Sequence, residues 1–92
     1  MSEARWFRRP GVLWRRSLDA VVFLGPEEDE PHTLLGGGPE VWELLIEPRT
    51  LAGLVAALAD RHDTGSAVLE RDVLAVLDQL QRLGAVVRLD EN

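Results

Sequence analysis

Residues 50–84 read TLAGLVAALADRHDTGSAVLERDVLAVLDQLQRLG, and two helices joined by a turn are written in that stretch. Leu51, Leu54, Val55, Leu58 and Ala59 recur at helical spacing and form one continuous apolar face of a helix predicted over 51–62. Thr50 stands where an N-cap belongs, with Gly53 in place of the glutamate that would complete a capping box. Arg61 and His62 sit at the far end, where cations favour the helix dipole, and Gly65 follows. A longer helix is predicted over 67–83, with Ser66 as its cap, Arg82 in its last turn and Gly84 as its left-handed stop. Its core stripe is Leu69, Val73, Val76, Leu80 and Leu83. Leu74 and Leu77 lie outside that stripe and widen the apolar arc to roughly half the circumference at 100° per residue. One small core buries one side of such a helix; a second apolar flank needs a sheet, a partner, or both. The glycine-bearing turn from Asp63 to Ser66 gives the pair the form of a helix-turn-helix.

Upstream, Gly36-Gly37-Gly38 breaks the chain before a short helix predicted over 39–47. Pro39 occupies the position where a missing N–H costs nothing, and Glu40 complements the dipole. Val41, Leu44 and Leu45 form its apolar arc with Trp42 and Ile46 alongside, and Pro48 ends it. Before that come three short β-branched or aromatic segments, predicted as strands over about 12–16, 20–24 and 32–35. The piece between the last two, Gly25-Pro26-Glu27-Glu28-Asp29-Glu30-Pro31, carries two prolines and four consecutive acids and reads as a loop. Connections this short make an antiparallel meander, since parallel strands need long crossovers. The third strand follows Pro31, which has no N–H to give, and so belongs at an edge. Ala85-Val86-Val87-Arg88-Leu89 reads as a terminal strand or wing. The fold class is therefore α+β, one domain over 1–92: a three-stranded antiparallel sheet plus a three-helix winged helix-turn-helix.

Composition narrows the chemistry. The 92 residues are 46% hydrophobic, enough for one core, and carry a formal charge of −6. All ten basic residues are arginine. Without cysteine there are no disulfides, thiolate metal sites or cysteine nucleophiles; without lysine there is no Schiff base and no P-loop lysine. The charge is uneven: residues 1–16 hold five Arg and one Glu, a net +4, whereas residues 17–92 hold five Arg and fifteen acids, a net −10. No apolar run approaches the ~20 residues of a membrane span or the ~7–15 of a signal-peptide core. The expectation is a cytoplasmic domain that binds no membrane, holds no cofactor and runs no reaction of its own.

A winged helix-turn-helix ordinarily lays its later helix in the major groove. Here residues 67–83 carry Glu70, Arg71, Asp72, Asp78 and Arg82, a net −1. Duplex DNA presents one negative charge per ~1.7 Å of axis, so that helix is repelled. The N-terminal arginines either form an arm for phosphates or pair with the acidic loop. A DNA-binding regulator is the second choice. Other motifs have plain explanations. The triple glycine lacks the Lys-Ser/Thr of a phosphate loop and reads as a turn. His32 and His62 have no second ligand at metal spacing. His62-Asp63 cannot serve as a dyad, because adjacent residues of a helix do not face each other. Trp42 among leucines is core, while Trp6 and Trp14 are undecided.

Taken in order, several stretches resemble a PqqD-like protein. They are Trp14-Arg15-Arg16; Leu34-Leu35-Gly36-Gly37-Gly38-Pro39-Glu40-Val41-Trp42-Glu43-Leu44-Leu45; Pro48-Arg49-Thr50-Leu51; Asp72-Val73; and Leu80-Gln81-Arg82-Leu83-Gly84. The resemblance covers roughly residues 10–90 and is specific as a whole rather than in any one motif. It departs from the pattern at the three glycines, where relatives often show Leu-Asn, and in the long acidic loop.

The resemblance implies a non-catalytic winged-helix adaptor, a chaperone-like element of modified-peptide biosynthesis in bacteria. Such an element binds the leader segment of a precursor peptide and presents it to a maturation enzyme: a peptidase, cyclase or radical enzyme. It implies that the leader adds as a strand to the third β-strand, in the groove beside the third helix. On this chain that makes His32, Thr33, Leu34 and Leu35 the strand template. Leu69, Val73 and Val76 would line apolar pockets, and Asp72 would pair with a basic leader residue. Main-chain hydrogen bonds would supply affinity and the pockets specificity. Which flank of the helix faces the peptide is open at this point, with Leu74 and Leu77 as the alternative exposed pair. A strand-edge dimerisation module is the third reading.

Overall fold

The computed structural model describes residues 4–25, 29–63 and 65–90; positions 26–28 of the expected acidic loop lie outside the described residues. Along the described chain run β1 (Ala4–Arg8), β2 (Leu13–Ser17), β3 (Ala20–Leu24), β4 (His32–Leu34), α1 (Gly38–Leu44), β5 (Arg49–Thr50), α2 (Leu51–Ala59), α3 (Ser66–Arg82) and β6 (Val86–Asp90). The class is α+β, with the expected meander β2-β3-β4 and a second antiparallel sheet ordered β5-β1-β6.

That second sheet corrects the sequence reading. The arginine-rich N-terminal stretch is a central strand, β1, flanked by the terminal strand β6 and the short β5. Local charge suggested an arm, but the stretch alternates. Trp6 is 8% exposed and joins the core, while its neighbours Arg5 and Phe7 are less covered. Alternation of this kind marks a half-buried strand. Its main partner lies at the other end of the chain, where local reading cannot find it.

In the meander, β3 is central. Val21 and Phe23 are fully buried against α1, and β2 and β4 pair on either side through Trp14↔Phe23, Arg15↔Val22, Val22↔Thr33 and Val21↔Leu34. β2 and β3 meet in a two-residue turn, Leu18-Asp19, where Leu18 is held at a φ of 52°. Trp42 of α1 stacks on Phe23 at 5.5 Å between ring centroids, and Trp14 meets Trp42 edge-on at 6.0 Å. Arg8 joins the two sheets at this point. Its guanidinium lies 4.5 Å from the Trp14 ring centre and 4.9 Å from that of Trp42, and its Nε donates to the Trp42 carbonyl at 2.9 Å. Burial pushes its pKa below the ordinary arginine value. The aromatic faces and the carbonyl offset that desolvation.

The helices form with changes at three of their ends. Thr50 caps α2 as predicted, its hydroxyl accepting from the Gly53 N–H at 3.0 Å. Gly65, not Ser66, caps α3, so the helix has no side-chain cap; Ser66 is its first helical residue. Gly84 ends α3 in a Schellman arrangement, with Ala85 N–H on the Leu80 carbonyl and Gly84 N–H on that of Gln81. α1 stops at Leu44 and α2 at Ala59, earlier than predicted, because Leu45 and Asp60 close both helices with terminal turn bonds. The buried stripe of α3 is Leu69, Val73, Leu77 and Leu80, with Val76 at its margin. Leu77 is thus core at 2% exposure, while Leu74 stands out at 44%. No helix among the described residues is long and apolar enough to cross a membrane.

Candidate functional site

The third strand of the meander is an edge, as Pro31 led us to expect: β4 pairs with β3 on one side, and no strand covers the other among the described residues. Ladder geometry says what that edge offers. A two-residue turn makes Ser17 and Ala20 a hydrogen-bonded pair, and such pairs alternate along antiparallel strands. Val22 therefore turns its main chain toward β2, and Val21 and Phe23 turn theirs toward β4. On β4, His32 and Leu34 face β3, and Thr33 directs its N–H and C=O outward. Thr33 is the one residue of β4 with both groups on the open side. Pro31 has no N–H, and the Leu35 carbonyl is taken by the Gly38 N–H at 3.2 Å.

The glycine run that follows is a tight turn, and its members have separate duties. Gly36 holds a φ of +64°, which a side chain would strain. Gly38 lies against Leu34 so closely that an added Cβ would stand 2.4 Å from the Leu34 Cγ. Between them, Gly37 caps α1 and reaches a cavity of about 210 Å³.

That cavity is the second part of the site. Val41 of α1, Leu58 of α2 and Leu69, Val73 and Val76 of α3 make its apolar walls. Glu40, His62 and Asp72 make its polar rim. His62 Nε2 donates to the two carboxylate oxygens of Glu40 at 2.9 and 3.0 Å, and an Arg61 guanidinium nitrogen lies 3.8 Å from the same carboxylate. Glu40 is thereby compensated. Asp72 is exposed and makes no ion pair with a described residue, so it is the uncompensated anion of the rim. An apolar cavity of about 150 Å³ takes a benzene ring, so this one has room for a branched aliphatic or aromatic side chain with a cation beside it.

Of the eight residues singled out in the sequence, four meet here: Leu69, Asp72, Val73 and Val76. This shows which flank of α3 lines this cavity; Leu74 and Leu77 are not in its walls. The other four belong to the edge and line none of this cavity. Thr33 is exposed on it, His32 is half-buried with its ring 5.6 Å from Phe23, Leu34 is core, and Leu35 lies just past the strand at 66% exposure. Leu34 offers a ligand neither group: its main chain faces β3 and its side chain is core. Sequence reasoning missed Glu40 and His62 as rim residues. The dipole and helix-end roles given to them were correct locally, but their meeting across 22 positions carries no sequence signal. Among the described residues no group of three or more His, Cys, Asp or Glu could hold a metal ion.

An α+β winged helix with an open strand edge, followed four residues on by a cavity between three helices, is the class of small domain that the fold defines. The family model described as coenzyme PQQ synthesis protein D (PqqD) matches residues 20–86, and the chain belongs to that family. A solved structure described as "TbiB1 in Complex with the TbiA(beta) Leader Peptide" shares the fold, with a TM-score of 0.77 at 22% identity. The likeness covers 87% of this chain and 93% of that one. Among curated proteins, none matches the chain.

Proposed function

We propose that this chain is a recognition element of modified-peptide biosynthesis. It binds the leader of a precursor peptide by strand addition to β4 and presents that peptide to a maturation enzyme, without catalysis of its own. The observation that carries the reading is the continuity of Thr33, the outward residue of an open edge, with a cavity that begins four residues later at Gly37. A strand laid on β4 would exchange main-chain bonds with Thr33, and its alternate side chains would reach for pockets. The cavity suits an apolar leader residue, and Asp72 an arginine or lysine beside it. PqqD family membership and the fold shared with TbiB1, itself solved with a leader peptide, support the same reading.

The test is fluorescence anisotropy with a labelled leader, taken from a short open reading frame beside this gene, and random duplex DNA in parallel. Saturable peptide binding between nanomolar and low micromolar, about −12 to −8 kcal/mol, is expected, with flat DNA titrations. Binding to DNA alone would return the winged helix to the major groove. No binding to either, with a concentration-dependent mass, would make β4 a dimerisation edge.

A further inference from the structure

The meander has two edges, and the function proposed above uses one. We propose that the other, the edge of β2, which no strand covers among the described residues, is together with the tip of its hairpin a second docking surface, for a partner protein that presents a strand bearing acidic and β-branched side chains. This goes beyond leader binding and does not depend on it. β2 also precedes the span that the family model matches.

Four observations converge on this edge. First, all five residues of β2 are exposed, although it is paired along its full length with a strand whose Val21 and Phe23 are fully buried. Second, the apolar residues left bare here are large: Leu13 is 69% exposed, Trp14 42% and Leu18 90%. A shallow groove of about 410 Å³ runs beside Leu13 and Trp14, lined in part by Arg15, Val22 and Leu24. Third, the alternation that turns Thr33 outward on β4 also turns the main chains of Trp14 and Arg16 outward on β2. Fourth, Leu18 sits at a φ of 52°, where glycine would be unstrained, and yet carries an exposed apolar side chain. Folding gains nothing from leucine there.

Charge chooses the occupant. β2 carries Arg15 and Arg16 within a chain of net −6. Arg16 is engaged by Glu43 and donates to the Leu18 carbonyl, whereas Arg15 makes no ion pair with a described residue. Opposite charges across an antiparallel pair are favourable and like charges are not. Self-pairing through β2 is therefore disfavoured: registers that centre on Arg15 or Arg16 set arginine against arginine, and no strand of the meander carries an acid to offer instead. Edge arginines of this kind oppose self-pairing and leave the edge open to an acidic strand.

The experiment uses the full chain, labelled with ¹⁵N, and two blocked synthetic peptides, one alternating Glu and Val and one alternating Lys and Val. The acidic peptide is expected to shift the amides of residues 13–18 saturably, more tightly at low than at physiological ionic strength. The lysine peptide should not bind. Arg15→Glu should weaken the acidic peptide about tenfold, the equivalent of ~1.4 kcal/mol. Leu18→Gly should raise the melting temperature and weaken binding together, a combination that a merely structural residue would not give. Shifts confined to β4 and α3, no saturable shift, equal binding of the lysine peptide, or a concentration-dependent mass of the free chain would each overturn the proposal. A leader titration in the same spectra reads β4 and α3 separately, so either reading can fail without the other.

Discussion

Gly38→Ala is a one-carbon perturbation whose effect can be worked from the structure. The new Cβ would lie 2.4 Å from Leu34 Cγ, 2.8 Å from its Cδ1 and 3.0 Å from its Cδ2. Carbon atoms rest comfortably at about 3.5–4.0 Å, so helix and strand must separate by roughly 1 Å. Leu34 cannot swing aside, being 1% exposed within the core. Overpacking of this kind costs about 1–3 kcal/mol. Replacing glycine returns ~0.4–1 kcal/mol through the unfolded chain, leaving a net loss of about 1.3 kcal/mol at the midpoints of the two ranges. For a domain of this size that is a fall in melting temperature of about 5–10 °C. Urea denaturation followed by the fluorescence of buried Trp6 and Trp42 measures it. The mechanism is then isolated with Leu34→Ala, which alone should cost about 2–5 kcal/mol. In that background the alanine introduced by Gly38→Ala meets a cavity instead of a side chain, and its cost should vanish, a coupling of at least ~1 kcal/mol. A Gly38→Ala variant as stable as the wild type, or one whose cost is unchanged in the Leu34→Ala background, would refute the close approach.

Three further outcomes are expected. Thr33→Pro removes the one outward N–H of β4 and should weaken leader affinity at least about tenfold while the chain stays folded by circular dichroism, since that N–H makes no ladder bond; retained affinity would remove strand addition. Asp72→Arg reverses the uncompensated anion on the cavity rim and should lower affinity for a leader with a basic residue, with a smaller loss at high salt, read by anisotropy; unchanged affinity would take Asp72 out of the site. Arg8→Lys loses the planar stack between Trp14 and Trp42 and the Nε bond to the Trp42 carbonyl, and should cost about 1–2 kcal/mol in denaturant titrations. Wild-type stability would show that the stack contributes nothing net.

The parts of the fold that were legible are those whose cause is local. Apolar spacing placed α2 and α3, Thr50 and Gly84 marked ends, and Pro31 identified the edge strand. The parts that escaped depend on distant partners. β1 is a strand because β6 and β5 pair with it, and nothing within Ala4–Arg8 names them. Leu77 is core because α3 turns that flank inward, a rotation of one position from the stripe through Val76. The rim formed by Glu40 and His62 exists only once α1 crosses the end of α2. The same distinction divides the site: α3 spacing placed Leu69, Val73 and Val76 on one flank and the family resemblance added Asp72, but whether that flank faces core, solvent or ligand depends on what α1 brings against it.

The order of residues 33–41 has a thermodynamic consequence. Thr33 offers the open edge, Leu34 fills the core, Gly37 and Val41 line the cavity, Gly38 takes the Leu34 side chain, and Glu40 holds the rim. Edge, core and cavity are consecutive links of one segment and cannot move independently. A ligand on the edge and in the cavity therefore binds only a chain in which Leu34 is seated on Gly38. It should stabilise the fold by the full linkage term, about 2.7 kcal/mol at a hundredfold excess over Kd. At about 4–8 °C per kcal/mol, that is a rise in melting temperature of roughly 11–22 °C. Thermal denaturation with increasing leader measures it. A leader that binds by anisotropy without raising the melting temperature would mean that it also engages the unfolded chain, and that the folded edge and cavity are not its site.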